Sequence, residues 1–239
     1  MRRTLTVLAL VAAATSVAAC GKKDRTAKAP AKTTTATAPT ATTAAPAGPN
    51  GCQAVAPAKV KRVALSKPSA SLDPKKTWTV TLKTNCGSIQ IQLDVKRSPK
   101  TSASFAYLVR KGFYDGLSFH RIAQDQAGND FVIQGGDPTG TGDGNAGYSV
   151  VEPPPSGVVY TRGVVAMAKT EIEKAGTSGS QFFIVTAPDS HLDPLYALAG
   201  KVVGGGDAVK LIAAVATDPN TDGRPLRPVV IEKATLSSR

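Results

Sequence analysis

The sequence contains few of the residues on which most enzyme chemistry depends. Its 239 residues include only two histidines and three cysteines, and aromatic residues make up 5% of the chain. His120 and His191 have no cysteine cluster beside them, which argues against a zinc or iron site. His191 and Asp193 have no serine on a nucleophile elbow to work with, so a serine hydrolase is not expected. We expect no metal and no cofactor.

Two stretches resemble ligand-binding motifs only in part. Gly142–Gly147 matches the spacing G-x-G-x-x-G, but Pro153–Pro155 follows where a dinucleotide site needs a helix. We interpret it as a flexible glycine loop. Asp218–Gly223 resembles the start of a calcium loop, but Val229 occupies the position that requires a glutamate. This stretch is therefore predicted to be a polar turn.

The sequence also lacks an apolar run long enough to span a bilayer near its N-terminus. Arg2 and Arg3 precede a short apolar run, Leu5–Ala14, which ends close to Val17-Ala18-Ala19-Cys20. Small residues before a cysteine resemble a bacterial lipobox, which implies that residues 1–19 are a lipoprotein signal peptide and that Cys20 carries a diacylglyceryl group. The alternative is an ordinary secretory signal with an accidental cysteine.

The net charge of +12 would suit nucleic acid or an anionic surface. The cations are scattered and no aromatic residues are interleaved with them, so we expect no nucleic-acid partner. Five cations after Cys20 would instead face lipid headgroups: Lys22, Lys23, Arg25, Lys28 and Lys32. The predicted location is the extracytoplasmic face of the cell membrane, through the lipid anchor.

Residues 20–74 are predicted to form a lipidated N-terminus and an Ala/Thr/Pro-rich tether. Thr26–Asn50 has no large apolar side chain and cannot build a core. With Cys20 acylated, Cys52 and Cys86 remain as a disulfide pair in an oxidising compartment, and two unpaired thiols are the alternative.

Residues 75–239 have the patterns of a folded domain. Apolar residues alternate from Trp78 to Leu82 and from Ile89 to Leu93, which predicts two strands around a turn at Asn85–Gly87. A helix is predicted to run from Pro99 to Arg110 with Ser98 as its N-cap.

Three further predictions complete the coarse structure. The helix at Pro99 would bury Phe105, Ala106, Leu108 and Val109, and a second helix is expected over Asp207–Ala216. A last strand is expected over Val229–Leu236. Many short strands with few helices indicate an antiparallel barrel.

Three central stretches carry the candidate chemistry: Phe119–Arg121, Phe131–Asp137 and Gly179–Thr186. Together they supply an arginine, two glutamines and several large apolar side chains. They supply no nucleophile paired with a base. Such a site is suited to binding a twisted amide rather than cleaving it.

Four ordered motifs resemble the cyclophilin-type peptidyl-prolyl cis–trans isomerases. They are Phe119-His120-Arg121-Ile122, Phe131-x-x-Gln134-Gly135-Gly136-Asp137, Gly163-x-x-Ala166-Met167-Ala168, and Ser180-Gln181-Phe182-Phe183-Ile184. The resemblance extends from about Trp78 to Leu236. It implies a mainly β fold, a closed eight-stranded antiparallel β-barrel capped by two α-helices.

The resemblance also implies roles for individual residues. Arg121 would be the catalytic arginine, and Gln134 would support it and contact the substrate backbone. The expected substrate-binding residues are Phe131, Val132, Ala168, Lys169, Gln181, Phe183, His191, Leu192 and Tyr196.

Three features of the sequence depart from the usual pattern of this family. His191 stands where many members have tryptophan, which weakens the expectation of tight cyclosporin binding. Tyr196 stands where histidine is common. The loop Gln124–Asp130 is longer than usual and could displace Phe131.

The expected activity is rotation of X–Pro bonds in unfolded or partly folded exported proteins, by a monomer without a cofactor. Arg121 would donate a hydrogen bond to the prolyl nitrogen only when the amide is twisted. The main alternative is a membrane-tethered module that binds proline peptides, or acts as a chaperone, without catalysis. A structural adhesin-like lipoprotein explains the motifs less well.

Overall fold

The computed structural model describes residues 51–239, which are mainly β with two helices. The elements in chain order are β1 (Trp78–Thr84), β2 (Gly87–Leu93), α1 (Pro99–Arg110), β3 (Phe119–Gln124), β4 (Asp130–Gly135), β5 (Val150–Val151), β6 (Val164–Met167), β7 (Thr177–Ser178), β8 (Phe182–Val185), β9 (Leu198–Gly204), α2 (Gly206–Ala213) and β10 (Ile231–Ser238). The predicted signal peptide, Cys20 and the tether up to residue 50 lie outside the described residues.

Eight strands form one antiparallel sheet in the order β10-β1-β2-β9-β6-β8-β4-β3, and β5 pairs separately with β7. The sheet is open, so the expectation of a closed barrel is overstated. Where its edges β3 and β10 come together, an isolated bridge pairs Ser118 with Val230. Backbone hydrogen bonds also run from Phe119 to Val229 and from Ile231 to Leu117. Beyond that bridge the Ile122 N–H donates to the carbonyl of Gly223, which lies in a loop and not in a strand. The backbone hydrogen bonds between β3 and β10 therefore do not continue along the strands, and the sheet does not close.

The predicted first hairpin is confirmed. Leu82 pairs with Ile89 across a two-residue turn at Asn85 and Cys86, and both apolar side chains are fully buried. The alternation works because successive side chains of a strand point to opposite faces of the sheet.

Helix α1 has the predicted bounds and buries the predicted apolar face. Ser98 occupies the predicted N-cap position, but its side chain makes no capping hydrogen bond. The cap comes instead from Glu152, whose carboxylate accepts hydrogen bonds from the N–H groups of Lys100 at 3.0 Å and Thr101 at 2.7 Å. A carboxylate satisfies free N–H groups there and interacts favourably with the positive end of the helix dipole.

The last two elements are displaced from their predicted bounds. Helix α2 ends at Ala213, three residues before the predicted Ala216, and buries Ala208, Val209 and Ile212. Strand β10 begins at Ile231 instead of Val229. The carbonyls of Val229 and Val230 instead accept hydrogen bonds from the N–H groups of Phe119 and Asn85, respectively.

Residues 51–74 pack against the domain, and we call them the N-terminal strap. Cys52 forms a disulfide with Cys86, with an S–S distance of 2.08 Å. The N–H of Lys61 donates to Pro138 at 2.8 Å and that of Leu65 to Ala146 at 2.7 Å. Leu72 is buried in the main core. The strap therefore belongs to the surface of the domain, although the sequence places it in the tether.

Candidate active site

Strands β4 and β8 separate two apolar clusters. On β8, Phe182 and Ile184 point into the main core, whereas Phe183 and Val185 point to the other face. On β4, Ile133 lies in the main core and Val132 lies on the outer face. The outer face of this part of the sheet is therefore apolar.

This outer apolar cluster contains most of the residues expected to bind a proline ring. Its members are Ala123, Val132, Tyr160, Ala166, Phe183, Val185 and Ala187, with Phe131, Val158, Val164, Ala168, Leu192 and Tyr196 packed against them. The ring of Tyr196 lies edge-on to Phe183, with centroids 5.3 Å apart. A phenol ring packed against Phe183 thus stands where histidine is common in the family.

Tyr160 belongs to this cluster, although its sequence context gave no reason to select it. Its hydroxyl donates to the Tyr196 carbonyl and accepts from the Tyr196 N–H at 3.1 Å. Burial of the phenol raises the pKa of Tyr160 to about 12. These two hydrogen bonds hold the backbone at Tyr196 and so position its ring.

A row of polar side chains borders the outer apolar cluster. Nη1 of Arg121 donates to Oε1 of Gln134 at 3.3 Å, and Nε2 of Gln134 donates to Oε1 of Gln181 at 2.9 Å. Nε2 of Gln181 then donates to the carbonyls of Gly142 and Gly144. Since Gln134 also pairs with Phe183 across β4 and β8, this polar row lies directly beside the apolar cluster.

Asp222 is a further site residue, to which the sequence analysis gave no role in the site beyond its place in a turn. Its carboxylate accepts from Nε of Arg121 at 2.8 Å and from Nη2 at 3.2 Å. A guanidinium has five N–H donors. The two bonds to Asp222 and the one to Gln134 leave two donors for a ligand.

The glycine loop behind Gln181 is held by hydrogen bonds, in contrast to the flexible loop predicted. The Asp137 carboxylate accepts from the N–H groups of Thr139 at 2.7 Å and Gly142 at 2.5 Å. Burial by itself raises the pKa of Asp137, but these hydrogen bonds outweigh that effect and lower it below the usual value. The ionised carboxylate thus fixes the carbonyls that orient Gln181.

His120 precedes Arg121 and is largely buried. Burial lowers the pKa of His120 below its usual value, and the nearby Asp137 carboxylate offsets only part of the effect. The imidazole is therefore neutral at pH 7 and does not add charge beside Arg121.

The remaining predicted residues differ in how closely they join the site. The N–H of Ala168 donates to the Gln181 carbonyl at 2.9 Å, and the ammonium of Lys169 lies 6.0 Å from the Tyr196 ring centroid. Leu192 packs against the outer apolar cluster, but the His191 side chain is 86% exposed and is not a member. His191 thus stands at the edge of the site.

The long loop after Arg121 leaves Phe131 in the site. Asp125 holds the loop together by accepting from the N–H groups of Ala127 and Asn129. The Phe131 carbonyl accepts from the N–H groups of Thr186 at 3.0 Å and Ala187 at 3.2 Å. Phe131 is thus anchored to the residues after β8, and residues 124–130 of the loop are exposed.

The arrangement can bind an apolar ring and donate hydrogen bonds beside it. It brings together no nucleophile and base. Within residues 51–239, no three His, Cys, Asp or Glu side chains are placed to hold a metal ion.

The comparisons with known proteins agree with this geometry. Residues 79–236 match the family model described as "Cyclophilin type peptidyl-prolyl cis-trans isomerase/CLD". The chain is 40% identical over 168 residues to mouse peptidyl-prolyl cis-trans isomerase-like 1, covering 67% of this chain and 95% of the relative. It is 39% identical over 156 residues to Arabidopsis thaliana peptidyl-prolyl cis-trans isomerase CYP18-2, covering 64% and 89%.

Solved structures give the same result. A cyclophilin-type peptidyl-prolyl cis-trans isomerase of Cryptosporidium parvum superposes with a TM-score of 0.61 at 29% identity, covering 68% of this chain and 99% of that one. The same protein in the presence of the dipeptide Ala-Pro gives a TM-score of 0.60 at 28% identity, covering 67% and 99%. The chain belongs to the cyclophilin-type peptidyl-prolyl cis–trans isomerase family.

Proposed function

We propose that this chain rotates X–Pro bonds by placing the proline ring on the outer apolar cluster and stabilising the twisted amide with Arg121. The barrier to rotation is ~18–20 kcal/mol because rotation breaks amide resonance. Twisting localises a lone pair on the prolyl nitrogen. A hydrogen bond from Arg121 to that nitrogen forms only in the twisted state, so it lowers the barrier.

One observation carries the proposal: Arg121 retains free donors beside an apolar surface. Gln134 contacts Arg121 at 3.3 Å and pairs with Phe183 of the outer apolar cluster. A proline ring packed on Phe131, Val132, Phe183 and Leu192 would bring its nitrogen towards the arginine. The structure of the Cryptosporidium parvum relative in the presence of the dipeptide Ala-Pro concerns a peptide of this class.

Gln134 and Gln181 would position the other side of the substrate. The Gln134 amide already donates to Gln181, and the Gln181 amide donates to the glycine loop. Both side chains therefore lose little entropy when a peptide binds. Ala168 and Lys169 would lie along the residue that precedes proline. His191 would contact the substrate only from the edge of the site, since it is exposed.

We also propose that the protein acts at the extracytoplasmic face of a membrane on unfolded or partly folded exported proteins. Residues 1–19 would be a signal peptide, Cys20 the lipidated residue, and the chain up to residue 50 a tether to a monomeric domain. The support is the charged and apolar pattern before Cys20 and the disulfide between Cys52 and Cys86. Within the described residues no helix is both long and apolar enough to cross a membrane.

The activity is tested by measuring the cis-to-trans rate of a short X–Pro peptide with the full chain. Removing one donor to a transition state typically costs a factor of about 10² to 10³, so we expect Arg121→Ala to lose most of the acceleration. Arg121→Lys should recover little, because an ammonium cannot keep the two-point contact with Asp222. Lys83→Ala, which removes an exposed cation of β1, is the control and should keep the wild-type rate.

A binding module without catalysis is the alternative, and the same assay separates the two. Peptide binding without acceleration by the wild type would favour it, and full activity of Arg121→Ala would rule out the arginine mechanism. Lipidation is tested by the mass of the membrane-extracted protein, which should lose the lipid in Cys20→Ser.

A further inference from the structure

An open groove lies between the N-terminal strap and the loop that follows Asp222. It has a volume of about 460 Å³. Four segments line it: residues 57–60 of the strap, residues 118–120 at the start of β3, residues 138–140, and residues 224–229. We call it the strap groove.

The charges in the strap groove are all of one sign. Lys59, Arg224 and Arg227 line it, and no aspartate or glutamate does. None of these three cations has an ion-pair partner among residues 51–239. Three cations without counterions around one concave surface favour an anionic ligand.

The strap groove also exposes apolar side chains. Val60 is 68% exposed and Leu226 is 63% exposed, and both line the groove together with Pro57 and Pro225. Large apolar side chains left in water at the rim of a concave surface are typical of binding sites. The combination suits a peptide segment with both apolar and acidic residues.

Two segments that line the strap groove adjoin residues of the candidate active site in the chain. His120 lines it, and the next residue is Arg121. The loop that forms one wall begins at Asp222, which holds Arg121, and Gly223, whose carbonyl accepts from Ile122 at 2.7 Å. An extended chain advances about 3.3 Å per residue, so residues a few positions from a bound proline would reach the groove.

The strap wall of the groove is held in place. Next to Lys59 and Val60, the N–H of Lys61 donates to the Pro138 carbonyl at 2.8 Å and its ammonium donates to the carbonyls of Phe113 and Asp115. The family match begins only at residue 79. The strap therefore adds a surface to the site that lies outside the matched domain.

We propose that the strap groove is an extension of the substrate site, and that it selects clients carrying acidic and apolar residues within a few positions of the isomerised proline. This inference rests on the proposed function. Lys59, Arg224 and Arg227 would bind the carboxylates, while Val60 and Leu226 would cover the apolar side chains.

The test uses the full chain and five proline peptides. One is a short X–Pro tetrapeptide that cannot reach the groove. Two carry a Glu-Leu-Glu extension, one on the amino side and one on the carboxyl side of the proline. The remaining two are the same extended peptides with each glutamate replaced by lysine. We expect kcat/KM for one acidic extension to exceed that of its lysine counterpart by about 5- to 10-fold at low salt, and the difference to shrink at high salt.

The variant Lys59→Glu/Arg227→Glu should lose or reverse this preference while isomerising the tetrapeptide at the wild-type rate. Lys96→Glu/Lys201→Glu makes the same change of charge at exposed positions outside the groove and should keep the preference. Equal rates for acidic and basic extensions on both sides, or an unchanged preference in the groove variant, would overturn the proposal.

Failure of the proposed function gives a different result. If the tetrapeptide is not isomerised at all, the catalytic proposal fails. The groove is then judged by fluorescence anisotropy of labelled extended peptides. Tighter binding of the acidic peptide, lost in the groove variant, would support the strap groove, and equal binding of all peptides would overturn it.

Discussion

Arg121 and Asp222 are 101 positions apart in the sequence and form a two-point ion pair, with Nε and Nη2 of the arginine on the two carboxylate oxygens. The contact turns one edge of the guanidinium towards the loop at Asp222. The other edge faces Gln134. Arg121 is therefore oriented before any substrate binds, which would reduce the entropy lost on forming the proposed hydrogen bond to the prolyl nitrogen.

The first prediction concerns this orientation. In Asp222→Asn we expect kcat/KM for a short proline peptide to fall by a factor of about 3 to 10, because the Asp222 side chain is 79% exposed and such pairs contribute only ~1 kcal/mol. The measurement is the cis-to-trans rate at several peptide concentrations. Asp207→Asn removes another exposed pair, with Lys210 on α2, and should have no effect. An unchanged rate in Asp222→Asn would mean that packing alone orients Arg121.

The second prediction concerns the cap of α1. Glu152→Ala should lower the free energy of unfolding by about 1 kcal/mol, because the N–H groups of Lys100 and Thr101 lose their acceptor. Urea denaturation measures it. Ser98→Ala should cost much less, since its hydroxyl makes no capping bond. A larger loss in Ser98→Ala than in Glu152→Ala would contradict the observed cap.

The third prediction concerns the disulfide that ties down the strap. Cys52 and Cys86 are separated by 34 positions, and closing a loop of that length restricts the unfolded chain by about 3–4 kcal/mol in the chain-entropy estimate. The Cys52→Ser/Cys86→Ser variant should lose stability of this order in urea. Reducing the wild type should have a similar effect, whereas Cys20→Ser should have none. Equal stability of oxidised and reduced protein would contradict the prediction.

The fourth prediction concerns alkaline pH. The pKa of Tyr160 is raised to about 12 in the folded state, against about 10 in an unfolded chain. The folded state thus binds more protons between these values, so the stability contributed by neutral Tyr160 is complete below about pH 10 and is lost as the pH rises towards 12. Denaturation across this range should show a smaller decline in Tyr160→Phe than in the wild type. Tyr107→Phe on α1 serves as the control, and identical declines in the wild type and Tyr160→Phe would exclude Tyr160 as the cause.

Local patterns were sufficient to predict several elements. The first hairpin followed from alternating apolar residues around Asn85 and Cys86, and α1 followed from Pro99 and its apolar face. These features depend on contacts between residues close in sequence, so a short window contains the necessary information. The motifs around Arg121, Phe131, Ala168 and Gln181 identified the family for the same reason.

The partners of those motif residues could not be predicted in this way. Glu152 caps a helix that begins 53 positions earlier at Pro99, and Tyr160 supports Tyr196 from 36 positions away. The residues next to a single glutamate or tyrosine in the sequence do not indicate such a distant partner. The open edge of the sheet likewise depends on where β3 turns away from β10 to bond with Gly223.

The sequence by itself determined the family, the two helices and the first hairpin, because periodicity and short motifs encode them locally. It also selected most residues of the outer apolar cluster, whose binding of proline remains a prediction. The signal peptide and Cys20 remain predictions from sequence. Only the tertiary structure decided that the sheet is open, that Asp222 orients Arg121, and that the strap folds back to build a groove beside it. Each of these depends on hydrogen bonds, ion pairs and packing between residues far apart in the chain, which form only when the whole domain has folded.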